Sequence, residues 1–257
     1  METDPQSAPP PSRFSMSGKR LVPIMVVLIL VITVASIITF QNQKHAFDYP
    51  TLCEENLRSL GIALFAYQEK FGTLPPAWIE GPSNQPAHSW RVLLLPFLKE
   101  KGAEDLAAVY RWAEPWDSPH NKRLLDDFMP AAYHCPSQQR AKWVFKHAHF
   151  VAPLGPSTAW PGTMPGKIDR STKQILLIEY KADDIPWTSP RDLPVDQWPD
   201  STIGESNLGI GSPHGAQPLV LYADGTVERL SPSTSLAELK YRCQGITPPP
   251  SAKPAQP

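Results

Sequence analysis

Apolar residues are distributed along this chain in two distinct patterns, and the first is an unbroken run. Residues 21–40, LVPIMVVLILVITVASIITF, include no charged side chain. About 20 apolar residues in a helix span the hydrocarbon core of a bilayer, so we predict a transmembrane helix over residues 21–40. A buried helix of a globular core is one alternative. A cleaved signal peptide is the other, although its apolar region is typically about 7–15 residues and ends in a small-x-small site.

The second pattern is an apolar stripe that recurs every three or four residues from Thr51 to Phe71. Its members are Cys53, Leu57, Leu60, Leu64, Tyr67 and Phe71. This spacing places them on one face of a helix. Gly72 is a plausible stop signal, so the stripe predicts an amphipathic helix that ends near Phe71.

Short apolar segments later in the chain indicate strands. We predict them over residues 132–135, 150–152, 174–180, 218–223 and 226–230. The last two flank Asp224-Gly225, a strong hairpin signal. Pro119 after Asp117-Ser118 predicts a helix to about Asp126, and residues 233–242 suggest a closing helix. A long helix followed by late antiparallel strands indicates an α+β fold.

Charges next to the apolar run predict its orientation. Arg13, Lys19 and Arg20 precede it, whereas Lys44 alone follows closely, which places the N-terminus in the cytoplasm by the positive-inside rule. We therefore expect a disordered cytoplasmic tail (1–20), an inner-membrane span (21–40), a periplasmic or otherwise extracytoplasmic domain (45–245) and a disordered tail (246–257).

Composition excludes one class of partner and modifies the picture of the body. The net charge of −1 offers no basic surplus for a nucleic acid. Proline is abundant, with 31 residues in 257, so we expect many rigid loops between short elements.

The sequence contains no His-Glu-x-x-His zinc motif, no Cys-x-x-Cys pair, no phosphate-binding glycine loop and no Gly-x-Ser-x-Gly nucleophile elbow. His147 and His149 bracket Ala148, but we interpret them as surface residues rather than metal ligands. The acidic, proline-rich stretch could in principle offer oxygen ligands to calcium, yet its spacing matches no EF-hand. Its aspartates are Asp183, Asp184, Asp192, Asp196 and Asp200. We therefore expect no metal, no cofactor and no enzymatic activity.

Three cysteines, Cys53, Cys135 and Cys243, are present. In an exported domain a disulfide is reasonable, and one cysteine must then stay outside the pair unless it bridges two chains. We favour Cys53 with Cys135, and buried free thiols remain the alternative.

Several segments resemble, in order, those of a large family of exported proteins of unknown function found chiefly in planctomycete bacteria and also labelled solute-binding-protein-like. They are CEENLRSLGIAL (53–64), FGTLPP (71–76), HSWRVLLLP (88–96), EPWDSPHN (114–121), YHCP (133–136), TAWPG (158–162) and IPWTSPRDL (185–193). The family also ends with a His, nine residues and Asp-Gly, which here are His214 and Asp224-Gly225. The resemblance covers about residues 50–240.

The resemblance implies a pilin-like fold, in which an N-terminal transmembrane helix and the amphipathic helix that follows it pack on a late antiparallel sheet. Many members begin with a cleaved prepilin signal, but Gly18-Lys19-Arg20-Leu21 is no such site. The family-motif residues that we expect to be structural are Trp116, Asp117, Trp160, Trp187, Arg191, Asp192, His214, Asp224 and Gly225.

Two functions from different classes follow. The first is a membrane-tethered structural or interaction protein with a protein partner or self-association. The second is a solute- or glycan-binding module that uses Trp160, Trp187 and Trp198 with Asp192, although these rings could equally fill the core. A hydrolase based on His214 and Asp224 would be a third, but no nucleophile is identifiable beside them.

Overall fold

The structure is a computed structural model, and it describes residues 18–135, 146–212 and 217–248. The chain divides into two compact units, Met1–Asp48 and Tyr49–Pro257. The first helix, α1, is assigned over Gly18–Phe71, so its residues belong to both units. Each unit is described by itself.

In the first unit, α1 includes one segment, Val22–Phe40, that is long and apolar enough to cross a membrane. Its apolar side chains are exposed and form no core within this unit. The hydroxyls of Thr33 and Thr39 donate to the carbonyls of Leu30 and Ala35 at 2.9 and 3.0 Å. These polar groups are thus satisfied inside the helix, as a lipid environment requires.

In the second unit, α1 buries the predicted stripe and ends where the sequence indicates. Cys53, Leu57, Leu60 and Leu64 are completely buried, whereas Phe71, at the end of the stripe, is exposed. Gly72 follows with φ of 80°, a left-handed conformation that glycine adopts without the cost of a Cβ and that ends helices.

The strands form a four-stranded antiparallel sheet and two smaller pairs. The main sheet has the order β3 (Phe150–Val151), β5 (Ile175–Glu179), β7 (Leu219–Tyr222) and β8 (Val227–Arg229). An N-terminal hairpin joins β1 (Trp78–Glu80) to β2 (Pro86–Ser89), and a short parallel pair joins β4 (Pro153–Leu154) to β6 (Leu193–Pro194). The four predicted strands after residue 145 are confirmed.

Strands β3, β5 and β7 of the main sheet are buried on both faces, because their side chains alternate between two cores, whereas the edge strand β8 is largely exposed. Leu219 and Leu221 of β7 belong to the core that includes the stripe of α1. Val220 and Tyr222 face the second core with α5 (Leu236–Cys243). The predicted α+β architecture, with a helix laid against a late antiparallel sheet, is therefore confirmed.

Three further helices precede the main sheet: α2 (Trp90–Leu93), α3 (Ala103–Val109) and α4 (Pro119–Asp127). Ser118 caps α4, because its hydroxyl accepts from the backbone N–H of Asn121. The strand predicted over 132–135 is wrong. Ala131–Tyr133 forms a 3-10 turn instead, closed by the backbone N–H of His134 donating to the Ala131 carbonyl at 3.2 Å, and no strand of the described residues pairs with it.

Candidate functional site

The first cluster of chemically capable side chains surrounds the disulfide. Cys53 on α1 is bonded to Cys135, just after the 3-10 turn, so the predicted pairing is confirmed. The third cysteine, Cys243, is free and buried at the end of α5. A sulfur of each paired cysteine and a carboxylate oxygen of Glu179 lie within 4.8 Å of one another, and all three residues are fully buried.

Glu179, the last residue of β5, is held by two donated hydrogen bonds. The backbone N–H of Leu219 donates to Oε2 at 2.9 Å, and the Ser212 hydroxyl donates to Oε1 at 3.1 Å. Burial raises the pKa of this carboxyl to about 7, although both hydrogen bonds act to lower it. Sequence reasoning missed this residue, and the available signal was a single acid that ends the apolar run Ile175–Glu179.

The second cluster is an ion pair in the core between Arg91 of α2 and Asp192. The Arg91 guanidinium donates to Asp192 through Nη2 at 2.6 Å and Nη1 at 3.3 Å, and both side chains are completely buried. Asp192 also accepts from the Trp90 indole at 2.9 Å and from the backbone N–H of Ala152 at 2.8 Å. Four donors thus converge on one carboxylate.

This network ties separate segments of the fold together. Burial raises the pKa of Asp192, and Arg91 is the strongest influence that opposes it. Arg91 also donates to the carbonyl of Phe150 at 3.0 Å, and its own carbonyl accepts from the Tyr133 hydroxyl at 2.7 Å. Because every contact of Asp192 is with a donor, the group forms a closed structural ion pair rather than an open reactive site.

The predicted tryptophan surface for a glycan is not present at the residues proposed for it. Trp160, Trp187 and Trp198 are 0%, 1% and 5% exposed. The Trp160 indole donates to the carbonyl of Leu176 at 2.7 Å. These rings fill the core, which was the other interpretation open from the sequence, because large rings between many prolines provide the apolar area that the short strands lack.

The acidic stretch likewise does not gather around one point. Asp184 forms an ion pair with Arg191 at 2.6 Å on the surface. Asp183 lies 2.8 Å from Nδ1 of His147, and Asp192 is buried with Arg91. The carboxylates of Asp183, Asp184 and Asp192 are thus directed to three separate partners rather than to one common point.

The histidine pair is also held by local contacts. The backbone N–H of Cys135 donates to Nδ1 of His149 at 3.1 Å. A neutral His149 therefore carries its proton on Nε2, 3.9 Å from Asp183. A protonated nitrogen has no lone pair for a metal, so this geometry argues against a metal between His147 and His149.

One surface cavity brings together residues from two of the family segments. Its volume is about 220 Å³. Trp116 and Asp117 form one side, and Pro186, Trp187 and Thr188 form another. The remaining lining residues, charged or titratable, are Lys122, Asp126, Lys146 and His147.

The walls of this cavity are held firmly. The backbone N–H of Trp116 donates to the carbonyl of Ala87 at 2.9 Å. The buried Asn121 side chain donates to the carbonyls of Glu114 and Pro115, each at 3.0 Å. Trp187 stacks on Tyr133 with ring centroids 5.5 Å apart. The cavity is therefore a preformed pocket, and we take it as the candidate functional site.

The cavity combines aromatic surface with charges of both signs. Trp116 is partly buried, and Asp117 and Lys122 are exposed. Lys146 and Asp126 form an ion pair of 2.9 Å at its edge. Such a lining suits a polar ligand with an apolar face, or a side chain from a partner protein.

Two residues of the C-terminal motif, Asp224 and Gly225, lie within the described part of the chain. Asp224 and Gly225 make the turn between β7 and β8, and Gly225 has φ of 88°. Burial acts to raise the pKa of Asp224, but Lys173 at 2.8 Å and two hydrogen bonds from Thr226 lower it to about 2. His214 lies outside the described residues.

Comparison with known proteins adds a family but no activity. A family model described as a protein of unknown function (DUF1559) matches residues 51–175. No curated protein and no solved structure matches the chain. The matched range includes both paired cysteines and the Trp116 segment, and the resemblance seen in the sequence is confirmed over it.

Proposed function

We propose, from the premise that residues 51–175 belong to the DUF1559 family, that this chain is a membrane-tethered and exported pilin-like module. It acts by presenting its domain to a protein partner and catalyses no reaction. The observation that carries the proposal is the apolar helix Val22–Phe40 directly ahead of a disulfide-bonded domain. Disulfides persist in oxidising compartments outside the cytoplasm.

The orientation follows from charge. Arg13, Lys19 and Arg20 precede the helix, and positive residues remain on the cytoplasmic side. The domain that begins near Tyr49 is then extracytoplasmic, and the short basic tail stays inside. Retention of the helix as a permanent anchor fits its length and the polar residues Gln41, Asn42 and Gln43 that follow its end in place of a small-x-small cleavage site.

An interaction role fits the state of the reactive side chains better than catalysis. Glu179, Asp192 and Asp224 each accept hydrogen bonds from groups that stabilise the fold. His149 is fixed in one tautomer by a backbone N–H. In the disulfide-bonded protein these groups stabilise the fold, whereas the cavity beside Trp116 is accessible for recognition.

Membrane topology can be tested in a bacterial host with the full chain. A C-terminal alkaline phosphatase fusion should be active, and the protein should remain in the membrane pellet after carbonate extraction. Replacing Arg13, Lys19 and Arg20 with glutamate should lower phosphatase activity, because the orientation signal is lost. An inactive fusion in the unchanged chain, or release of an N-terminally cleaved domain, would refute the tether.

The partner can be sought by cross-linking mass spectrometry on native membranes, with Trp116→Ala as the test variant. Trp112→Ala is the matched control, because Trp112 is 42% exposed but does not line the cavity. A protein cross-linked near the cavity should be lost with Trp116→Ala and retained with Trp112→Ala. Equal cross-linking in both variants would remove the cavity from the proposal.

A solute-binding module is the second candidate, and the same cavity favours it. A partly buried Trp116 beside Asp117 and Lys122 offers a stacking face with hydrogen-bonding groups at its rim, a combination that suits a sugar ring. The detergent-solubilised chain should then bind members of a glycan array and lose that binding in Trp116→Ala only. Binding that persists in this variant would contradict a glycan in the cavity.

A further inference from the structure

The disulfide and Glu179 come from three different parts of the fold, yet their donor atoms converge. Cys53 lies on α1, Cys135 follows the 3-10 turn and Glu179 ends β5. The ligand atoms are within 4.8 Å of one another in the oxidised protein. Donor atoms around a tetrahedral cation are separated by a similar or smaller distance, since metal–sulfur bonds are about 2.3 Å and metal–oxygen bonds about 2.0–2.2 Å.

The carboxylate is already oriented in the way that metal ligands are. Ser212 and the backbone of Leu219 donate one hydrogen bond to each of its oxygens, at 3.1 and 2.9 Å. Such outer contacts fix the direction of a ligand and support metal affinity. A carboxyl oxygen retains a second lone pair, so these contacts leave each oxygen able to bind a cation.

The disulfide by itself does not explain why the Glu179 carboxyl is buried beside it. A disulfide is neutral and requires no acid beside it, and placing a carboxyl in a fully buried position is costly unless its charge is compensated. The hydrogen bonds from Ser212 and Leu219 and the positive charge of Arg229 stabilise the ionised carboxyl in part, and a bound divalent cation would compensate its charge directly. The two cysteine thiols and the Glu179 carboxyl would then be the protein ligands of one cation site.

We propose that, when the Cys53–Cys135 bond is reduced, these two cysteines and Glu179 form a buried binding site for a thiophilic divalent cation such as Zn²⁺. Soft thiolates select zinc over calcium and magnesium, which prefer oxygen ligands only. Three protein donors leave the fourth tetrahedral position for a water molecule. The cation would hold α1 to the segment after the turn, as the disulfide does, and would add β5 to the same link.

A dithiol reductant supplies the electrons and protons that convert the disulfide into the two thiols of the zinc site. The dithiol passes two electrons and two protons to the S–S bond, closes its own disulfide and leaves two protein thiols. Zn²⁺ then binds both sulfurs as thiolates, and the two thiol protons are released to solvent. In the reverse direction a small-molecule disulfide accepts two electrons from the two zinc-bound thiolates and takes up two protons to become a dithiol, while the Cys53–Cys135 bond re-forms and Zn²⁺ is released.

The test uses the full chain in detergent with Cys243→Ser, which removes the third thiol. After reduction and removal of the reductant under argon, Co²⁺ is added as a spectroscopic probe. The expected result is one Co²⁺ per chain, with thiolate charge-transfer absorption and the visible bands of tetrahedral cobalt, both displaced by Zn²⁺. The oxidised protein should show neither.

Glu179→Gln is the decisive variant, and Glu228→Gln, which changes an exposed acid on β8 of the same sheet, is its control. Affinity for Zn²⁺ should fall at least about tenfold in the first and remain unchanged in the second. Equal affinity in both variants, or no cobalt spectrum in the reduced chain, would overturn the proposal. If reduction unfolds the domain, added Zn²⁺ should restore its circular dichroism, and failure to do so counts against the site equally.

Discussion

At the scale of single residues, the buried acid Glu179 gives the clearest dependence on pH. Its folded-state pKa is raised to about 7 by burial, above the value of about 4.3 for an unfolded chain. Between these values the folded state retains a proton that the unfolded state has lost. The free energy of unfolding of the oxidised protein should therefore be highest below about pH 4 with respect to this group, and fall as pH rises through 7.

This effect is measured by urea unfolding of the disulfide-bonded protein between pH 4.5 and pH 8. We expect Glu179 to lower the free energy of unfolding by up to roughly 3 kcal/mol over that range. Glu179→Gln, which cannot ionise, should remove this part of the slope. A slope that is identical in the variant would show that Glu179 does not carry the dependence.

The Arg91–Asp192 pair should be the most sensitive polar contact in the domain. Asp192→Asn leaves the guanidinium buried without its counter-charge, so the free energy of unfolding should fall by about 3–5 kcal/mol. Asp184→Asn is the control, because its pair with Arg191 is half exposed and should cost less than about 1 kcal/mol. Chemical denaturation compares the two, and equal losses would contradict the assignment.

A residue's role could be predicted from the sequence when its contacts are made by residues close to it in the chain. Asp224-Gly225 could be placed in a turn, because the two residues define the turn by themselves. Asp192 stands in a run of aspartates that resembles a solvated loop, and only the tertiary fold brings Arg91, far earlier in the chain, against it. The same holds for Glu179, whose partners come from segments that follow it.

At the scale of elements, the β7–β8 hairpin depends on Gly225. Its φ of 88° favours glycine, and an added Cβ would lie 3.3 Å from the Phe65 ring on α1. Gly225→Ala should therefore lower stability by about 2 kcal/mol. Gly72→Ala has a similar φ of 80° and open space around it, so it should cost about 1 kcal/mol. Thermal unfolding of the two variants separates the cost of the Phe65 contact from the cost of the backbone conformation. Equal losses of stability would show that the Phe65 ring moves aside without a measurable cost.

The elements that sequence reasoning found are those with a strong period or an explicit turn. The amphipathic part of α1, the helix after Ser118 and the strands of the main sheet were all predicted. The missed elements are β1, β2, β4, β6, α2 and α3. The missed strands have two to four residues, too few to display an alternation, and α2 with four residues and α3 with seven are too short for a clear helical period.

At the scale of the whole molecule, the second unit has its own core. Two clusters of buried residues surround the main sheet, and both lie within Tyr49–Pro257. We therefore expect residues 45–257, exported behind a cleavable signal peptide, to yield a soluble domain with the Cys53–Cys135 bond formed and an unfolding midpoint equal to that of the full chain. Aggregation, or a lower midpoint, would show that the domain needs residues 1–44 to fold.

The packing of α1 on β7 has a consequence for the order in which the domain can be made. The stripe around Leu57 and Leu60 is among the first parts of the domain to leave the ribosome, yet its partners Leu219 and Leu221 are among the last. Until nearly the whole chain has emerged, that stripe has no partner to pack against and remains exposed, aggregation-prone apolar surface. A chain truncated anywhere before β7 would therefore lack the residues that cover the α1 stripe. Such a fragment would not fold into a smaller domain and would be bound by chaperones or degraded by proteases.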